Sequence, residues 1–541
     1  MEREKNSKEL RRACIDVALV LLKRQIKDKR GISKIKKEIS RLYRLPKLPS
    51  DPEILFYFKE KFGENENFRK LKSILRLKPV RTISGVAVIS VMSSPAPCPH
   101  GKCIPCPGGV DKGTPQSYIG LEPAAMRGAQ HNYNPFDQVF ARLNELYMLG
   151  HEVEKVEIIV MGGTFPARDR NYKRRFILGI FNALNAFKKE RFKKERSLEK
   201  AKKKNEQAKA RCVGLTIETR PDFSKEEHII EMLKFGCTKV EIGVQSIYDE
   251  VLQLIRRGHG VAESIKATAL LKDSGLKVGY HIMLGLPGSD FNMDLKMLKE
   301  IFKNENFKPD FLKIYPTLVV EGTKLYEWWK SGKYEPLTTE EVVELIARAK
   351  KHFPVWVRVQ RIQRDIPVHH AIGLNKGNIR QLVHKRLKEL GYSCRCIRCR
   401  EIGHKIAKIK KTIDPKDFEL KIRKYKASNG LEYFISFENL EYDALLGYIR
   451  LRFPSKPFIK EISNCALIRE LHIYGRALAL GQRDLDAYQH RGYGRRLLSI
   501  AEEIAKEKYD EIAITSGVGV REYYRKLGYT KRFEYMVKKL V

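Results

Sequence analysis

Long hydrophobic runs are missing from this 541-residue chain. The longest of note, Val17–Leu22, holds six residues, far below the ~20 that a membrane-spanning helix needs, so no membrane partner is expected. Cysteine is scarce: ten in 541 residues cannot build the disulfide scaffold of a secreted protein. Met1–Arg12 is charged throughout and lacks the apolar stretch of a secretory signal, so a cytoplasmic location is expected. Acidic side chains are in deficit. Asp plus Glu number 65 against 105 Lys plus Arg, a formal net charge of +40. With 43% hydrophobic residues the chain is nevertheless globular. At ~150 residues per domain it has room for three to four folding units.

The excess charge is concentrated. Residues 1–80 carry a net +12, residues 170–211 another +12 and residues 348–426 a net +17, leaving the other 340 at −1. Solubility alone gives no reason for such blocks. They point to a docked polyanion, RNA or DNA, and composition does not separate the two.

The N-terminal block reads as helical, with Leu10, Ala13, Cys14, Val17 and Leu21 on one stripe and Gly31 as a stop. Leu45–Pro52 is a proline-punctuated linker. From about residue 79, β-branched runs alternate with amphipathic helices. The candidate strands are Thr82–Met92, Lys155–Met161, Cys212–Thr219, Lys239–Val244, Lys277–Leu284, Phe311–Pro316 and Val355–Gln360. Helices are expected at Asp137–Leu149, Asp249–Arg257 and Val261–Asp273. Such alternation predicts a parallel sheet, doubly wound or curled into a complete or partial (β/α) barrel, with its site at the carboxyl ends of the strands. A cysteine-bearing connector follows. From about residue 418, alternating strands and the helices Tyr493–Lys506 and Val520–Leu527 predict a small α+β domain. The expected division is 1–78, a basic helical extension; 79–361, the barrel; 362–415, the connector; and 416–541, the α+β domain.

Cys98, Cys103 and Cys106 lie in the loop after the first barrel strand, in the run Cys-Pro-His-Gly-Lys-Cys-Ile-Pro-Cys. Three thiolates in nine residues can hold an iron–sulfur cluster at three corners and leave one iron open. On these residues alone, zinc with His100 as a fourth ligand remains an alternative. The arrangement resembles radical S-adenosylmethionine enzymes, although the first interval is one residue longer than their usual C-x3-C-x2-C. That resemblance implies a 4Fe–4S cluster whose open iron binds the methionyl group. It extends to Gly162 and Gly163 after the second strand, to Gln245, and to the run His281–Gly288, successive strand-end segments around S-adenosylmethionine.

Gln489-His-Arg-Gly492-Tyr493-Gly494-Arg495 opens a helix with small residues that let backbone N–H groups approach a pyrophosphate. With the strand Leu467–Ile473 before it and Ser516–Tyr529 after it, the segment resembles the GNAT acetyltransferase superfamily. Tyr523 and Tyr524, neighbours on one helix, cannot share a face; one is expected to be buried and the other to face the cofactor.

The pairing of these two units, with Glu218-Thr-Arg-Pro-Asp222, Arg361–Pro367 and Arg469-Glu-Leu-His472, resembles the family of Elongator catalytic subunits in its archaeal form over roughly residues 80–541. The resemblance implies carboxymethylation of C5 of the wobble uridine of tRNA from acetyl-CoA and S-adenosylmethionine. The tRNA anticodon stem-loop is then the partner and an electron donor serves the cluster; a homodimer is left open. It places acetyl-CoA on Lys155, on Glu470, Leu471, His472 and Ile473, on Gln489 and Gly492–Arg495, and on Tyr524, with Tyr523, Tyr524 and His472 as catalytic candidates. An acetyl methyl C–H is too strong for a side-chain base, and uridine C5 too weak a nucleophile to attack a thioester. Radical abstraction of that hydrogen would answer both. An unpaired wobble base costs little to flip out.

Cys394, Cys396 and Cys399 in the connector fit a structural zinc, with His369, His370, His384 or His404 open as the fourth ligand. Cys14, Cys212, Cys237 and Cys465 stand in apolar contexts and read as core thiols. Two other classes compete: a protein lysine acetyltransferase with a structural iron–sulfur cluster, and a non-catalytic RNA-binding scaffold. A chain of net +40 offers no obvious acidic peptide-binding surface for the first. The second leaves a strand-end cysteine triad with an open corner unexplained.

Overall fold

The computed structural model describes residues 2–26, 28–75, 82, 84–409, 413–475 and 492–540. Four helices open the chain: α1 Glu2–Lys23, α2 Lys29–Leu42, α3 Asp51–Phe62 and α4 Glu66–Leu75. Their apolar stripes, including Ala13, Val17, Leu21, Ile35, Phe58 and Leu71, close around a core of their own. Gly31, expected to stop a helix, instead lies in the first turn of α2. The Asp28 side chain caps that turn by accepting the Gly31 N–H, so a new helix starts where the old one was expected to end. The proline-rich stretch joins α2 to α3 within one bundle. Ser50 and Glu53 form a capping box there. Lys72 pairs with Glu152 at 3.0 Å and Lys188 with Glu64 at 3.1 Å, tying the bundle to the next unit.

Seven parallel strands follow in sequential order: β1 Ala87–Met92, β2 Lys155–Met161, β3 Arg211–Thr219, β4 Lys239–Gln245, β5 Lys277–Leu284, β6 Phe311–Pro316 and β7 Arg358–Ile362. Among the described residues no pairing joins β7 to β1, so the barrel is partial. The first and last strands begin later than their β-branched runs suggest, at Ala87 and Arg358, and the helix after β4 ends at Leu254. A second seven-stranded sheet holds β8 Glu419–Ala427, β9 Gly430–Asn439, β10 Ala444–Phe453, β11 Cys465–Ile473, β12 Glu511–Ile514, β13 Thr530–Arg532 and β14 Tyr535–Lys539. One apolar core runs without a break from the barrel into this sheet, from Ile89 to Met536. Buried ion pairs cross the same boundary. Arg469 of β11 reaches Asp310 at the foot of β6 with two bonds of 2.6 and 2.7 Å, and Arg452 donates to Asp273 at 2.8 Å. No helix among the described residues is long and apolar enough to cross a membrane.

Candidate active site

A cavity at the carboxyl ends of the barrel strands is lined by Cys98, Cys103 and Cys106 together with Gly163, Gln245 and His281. Each thiol has a polar neighbour. Cys98 Sγ lies 3.7 Å from Thr164 Oγ1, Cys103 Sγ lies 3.1 Å from His100 Nε2, and Gln116 Nε2 donates to Cys106 Sγ at 3.2 Å. Arg257 Nη1 adds a longer bond to Cys103 at 3.8 Å. Burial pushes the Cys98 and Cys103 thiols above their ordinary value, so loading a metal group must drive their protons off. Burial, with Arg220 and Arg257 adding to it, pulls His100 down to about 4 and keeps its ring neutral.

Geometry separates the two readings of this triad. Sulfurs on one tetrahedral zinc stand ~3.8 Å apart, since each Zn–S bond is ~2.3 Å. The sulfurs of Cys98, Cys103 and Cys106 do not all fall within 4.8 Å of one another, which suits the corners of a larger cluster. The cavity also contains buried polar atoms without a hydrogen-bond partner: Gln245 Oε1, Thr219 Oγ1 and His100 Nδ1. Gln245 is held at φ 66°, an uncommon conformation for a residue with a Cβ. A cavity with orphaned acceptors and donors beside three thiols fits a cluster with a bound polar cofactor. Gly162, at φ +114°, admits no side chain, because a Cβ would come 2.5 Å from Ser93 Oγ.

A second, larger cleft of about 1010 Å³ lies between the domains. It forms because the parallel pair β11–β12 runs together only from Cys465–Ile468 against Glu511–Ile514. Beyond Ile468 the strands part, and Glu470, Leu471, His472 and Ile473 line one wall. This leaves β11 backbone groups facing the wedge, able to pair with a ligand's amides. The helix Tyr493–Lys506 starts at the cleft, its N-cap Gly492 at φ 84°, and Gly492, Gly494 and Arg495 line the opening. A pyrophosphate suits such a helix start.

The expected acyl-CoA residues separate on closer view. Tyr524 is buried and Tyr523 is 41% exposed, yet both line the cleft. Burial raises both hydroxyls above the ordinary tyrosine value. Tyr493 turns its hydroxyl away, donating to the Pro415 carbonyl at 2.8 Å, and it is not among the residues that line the cleft. His472 has its Nε2 3.1 Å from the Ser84 carbonyl and so carries its proton there, leaving Nδ1 for any chemistry. Lys155 lines the same cleft; burial lowers its pKa. Gln489 lies outside the described residues.

In the connector, Cys394, Cys396 and Cys399 bring their sulfurs within 4.8 Å of one another, and Cys396 Sγ to Cys399 Sγ is 3.6 Å, the spacing of one tetrahedral ion. Of the four histidines, His384 is the one beside it, with Nε2 3.7 Å from Cys399 Sγ. His404 turns to Glu401 at 3.3 Å, and His369 and His370 are exposed. Cys14, Cys212, Cys237 and Cys465 are buried.

Gln116 and Arg257 were not legible in the sequence. No spacing rule ties them to the thiols, and only the Arg256-Arg257-Gly258-His259 polar run could have drawn attention to the last. The basic blocks also turn partly inward. Lys202 is buried against Glu534 at 2.9 Å, Arg358 is half-buried against Glu401, and Arg400 is buried against Glu438 and Asp443. The +17 of residues 348–426 therefore overstates the charge offered to a polyanion.

The chain matches the Radical SAM superfamily over residues 98–301, the Radical_SAM C-terminal domain over 309–389 and the Acetyltransferase (GNAT) family over 405–529. Fold and site together define a radical-SAM barrel joined to a GNAT domain. Residues 10–83 match the ELP3 N-terminal domain. The chain is 52% identical, over 95% of its length and 96% of the other, to the tRNA uridine(34) acetyltransferase of Methanocaldococcus infernus. It is 42% identical to Elongator complex protein 3 of Saccharomyces cerevisiae, over 86% of this chain and 85% of that protein. A solved structure of archaeal Methanocaldococcus infernus Elp3 with an N-terminal deletion superposes with a TM-score of 0.75 at 48% identity, covering 85% of this chain and 100% of that one. The chain belongs to the Elongator complex protein 3 family.

Proposed function

We propose that this protein modifies C5 of the wobble uridine of tRNA, adding a carboxymethyl group drawn from acetyl-CoA. The observation that carries the reading is one barrel flanked by two cavities: three thiols among orphaned polar groups at one end, and a cleft where two parallel strands part beside a helix start at the other. Cys98, Cys103 and Cys106 would hold a 4Fe–4S cluster, and Gly162, Gly163 and Gln245 would orient S-adenosylmethionine. When bound, cluster and cofactor supply one-electron chemistry able to break a C–H bond, with the electron coming from an external donor. The protein's part is to bind, orient and exclude water. Glu470–Ile473 present strand backbone to the pantetheine arm. Gly492–Arg495 present a helix start to the pyrophosphate, and Tyr523 and Tyr524 close the thioester end. Zinc held by Cys394, Cys396, Cys399 and His384 would pin the connector against the barrel, where Ile397 N–H already donates to the Val357 carbonyl at 2.9 Å. Exposed cations such as Lys23, Arg24, Lys34 and Lys37 supply phosphate contacts.

The test is mass spectrometry of tRNA nucleosides after anaerobic incubation with acetyl-CoA, S-adenosylmethionine and a reductant. A carboxymethylated uridine is expected. Acetylated protein lysines with unmodified tRNA would overturn the reading.

A further inference from the structure

The two cavities sit at opposite ends of the barrel lumen. The cleft is floored by residues that begin strands, Glu157, Gly214, Lys239, Phe311 and Gln360. The cluster cavity is built from residues that end them, among them Gly163, Glu218, Gln245 and His281. A continuous row of charged side chains joins the two. Glu157 meets Lys239 at 2.9 Å, Lys239 meets Glu241 at 3.2 Å, Glu241 meets Lys313, and Lys313 meets Glu218 at 2.6 Å. His281 Nε2 joins Glu241 at 3.0 Å.

Within this row, only Glu241 and Lys313 line neither cavity. Lys239 and Glu241 are two residues apart on β4, about 6.6 Å along a strand, so the partition is one inward-facing layer thick. Small residues make room for it. A Cβ on Gly279 would come 2.9 Å from Glu241 Cγ, and one on Gly214 would come 3.5 Å from Glu157 Cγ. Branched apolar side chains in layers are the ordinary filling of a closed barrel, and a buried ionic row is no more stabilising than they are. Packing therefore does not account for it. Nor is the row a metal site: Glu218, Glu241 and His281 converge as ligands would, but the Lys313 ammonium already bridges both carboxylates. It is also a poor proton relay. Burial alone would raise Glu241, yet Lys313 and Lys239 hold it well below its usual range, and its partner Lys313 is held well above its own.

We propose that the lumen is the route of the acyl group: the thioester end of acetyl-CoA enters the barrel past Glu157 and Lys239, and the Lys239–Glu241–Lys313 row is the gate it displaces to reach the cluster cavity. This rests on the reading that both cofactors serve one reaction. Long lysine arms can swing aside while keeping a carboxylate partner, and their ammonium groups can donate to the thioester carbonyl. The gate otherwise keeps the two ends apart.

The test uses bromoacetyl-CoA with the cluster-loaded holoenzyme of Thr216→Cys under anaerobic conditions. Thr216 is 1% exposed, and its Oγ1 reaches Glu157 Oε1 at 3.4 Å, so a thiol there stands inside the mouth with the gate intact. Its thiol loses its proton to solvent and displaces bromide from the methylene carbon next to the thioester carbonyl, forming a thioether that keeps CoA attached. The expected result is a CoA adduct on the peptide bearing position 216, slowed at least 10-fold by excess acetyl-CoA. A variant that binds acetyl-CoA by calorimetry but gives no adduct overturns the lumen route alone; a holoenzyme that binds no acetyl-CoA overturns the proposed function. Should the variant not fold, a diazirine-bearing acyl-CoA is photolysed on the unsubstituted holoenzyme. Insertion at Glu241 or Lys313, which line neither cavity, supports the route, and insertion confined to residues of the cleft such as Tyr523 and Tyr524 overturns it.

Discussion

Arg469→Leu should loosen the joint that sets the cleft. Arg469 is fully buried and bonds Asp310 at 2.6 and 2.7 Å, Glu432 at 2.7 Å and the Leu276 carbonyl at 3.1 Å. Leucine fills much of the space but leaves two buried carboxylates short of a cation. Breaking a buried pair from one side costs ~3–5 kcal/mol. Lys272 still lies 3.6 Å from Asp310 and 3.5 Å from Glu432, and Arg452 still meets Glu432 at 3.0 Å. The lower end, about 3 kcal/mol, is therefore expected. For a cooperative unit spanning both domains, about 1 °C per kcal/mol, that is roughly 3 °C in Tm.

The sign of its pH dependence follows from the same geometry. Burial alone would raise Asp310 and Glu432, but Arg469 and Lys272 hold both below their ordinary values. The pairs' stabilisation is thus complete above the unfolded pKa, about 4, and fades only as pH falls through the depressed folded values. Wild type keeps it at both pH 7 and pH 5. In Arg469→Leu the balance tips toward burial, the carboxyls move up, and protonation relieves part of the penalty on acidification. Calorimetry at pH 7 and pH 5 should show a deficit that shrinks at the lower pH. Equal melting at pH 7, or a deficit that grows at pH 5, refutes the reasoning.

Cys103→Ser, reconstituted anaerobically with iron and sulfide, should lose the charge-transfer absorbance of wild type while still binding acetyl-CoA; an unchanged spectrum removes this thiol from the cluster. Gly162→Ala should cost ~1–3 kcal/mol through its left-handed backbone and weaken S-adenosylmethionine binding in calorimetry, with the acetyl-CoA cleft unaffected. Neutralising Lys23, Arg24, Lys34 and Lys37 together should weaken tRNA binding and flatten its log–log salt dependence by ~0.7–0.9 per lost phosphate contact. Unmoved affinity and slope would take the N-terminal helices out of the footprint.

Much of this protein was legible in its sequence because the relevant physics is local. Three thiols within nine residues, a glycine pair directly after a β-branched run, and a G-x-G at a helix start each depend on neighbours a few positions away. The alternation of strand and helix declared a parallel sheet for the same reason, and left open whether it was doubly wound or curled into a barrel. Only the tertiary structure decided the rest. That His384 rather than His404 stands beside Cys399 depends on how the helix Ile379–Glu389 packs on the connector, and no spacing rule spans that distance. Gln116 and Arg257 reach the thiols through loops that meet only when the barrel curls. The alternating charges Lys155-x-Glu157 and Lys239-x-Glu241 were visible as letters, but period-2 charge on a strand reads equally as a wet face. Curling seven strands turned that face inward, where solvent could no longer screen the charges, so each carboxylate had to find an ammonium. Likewise, a net +40 counts Arg469 and Arg452 like any surface cation. Folding removed both from water and made them the bond between the domains.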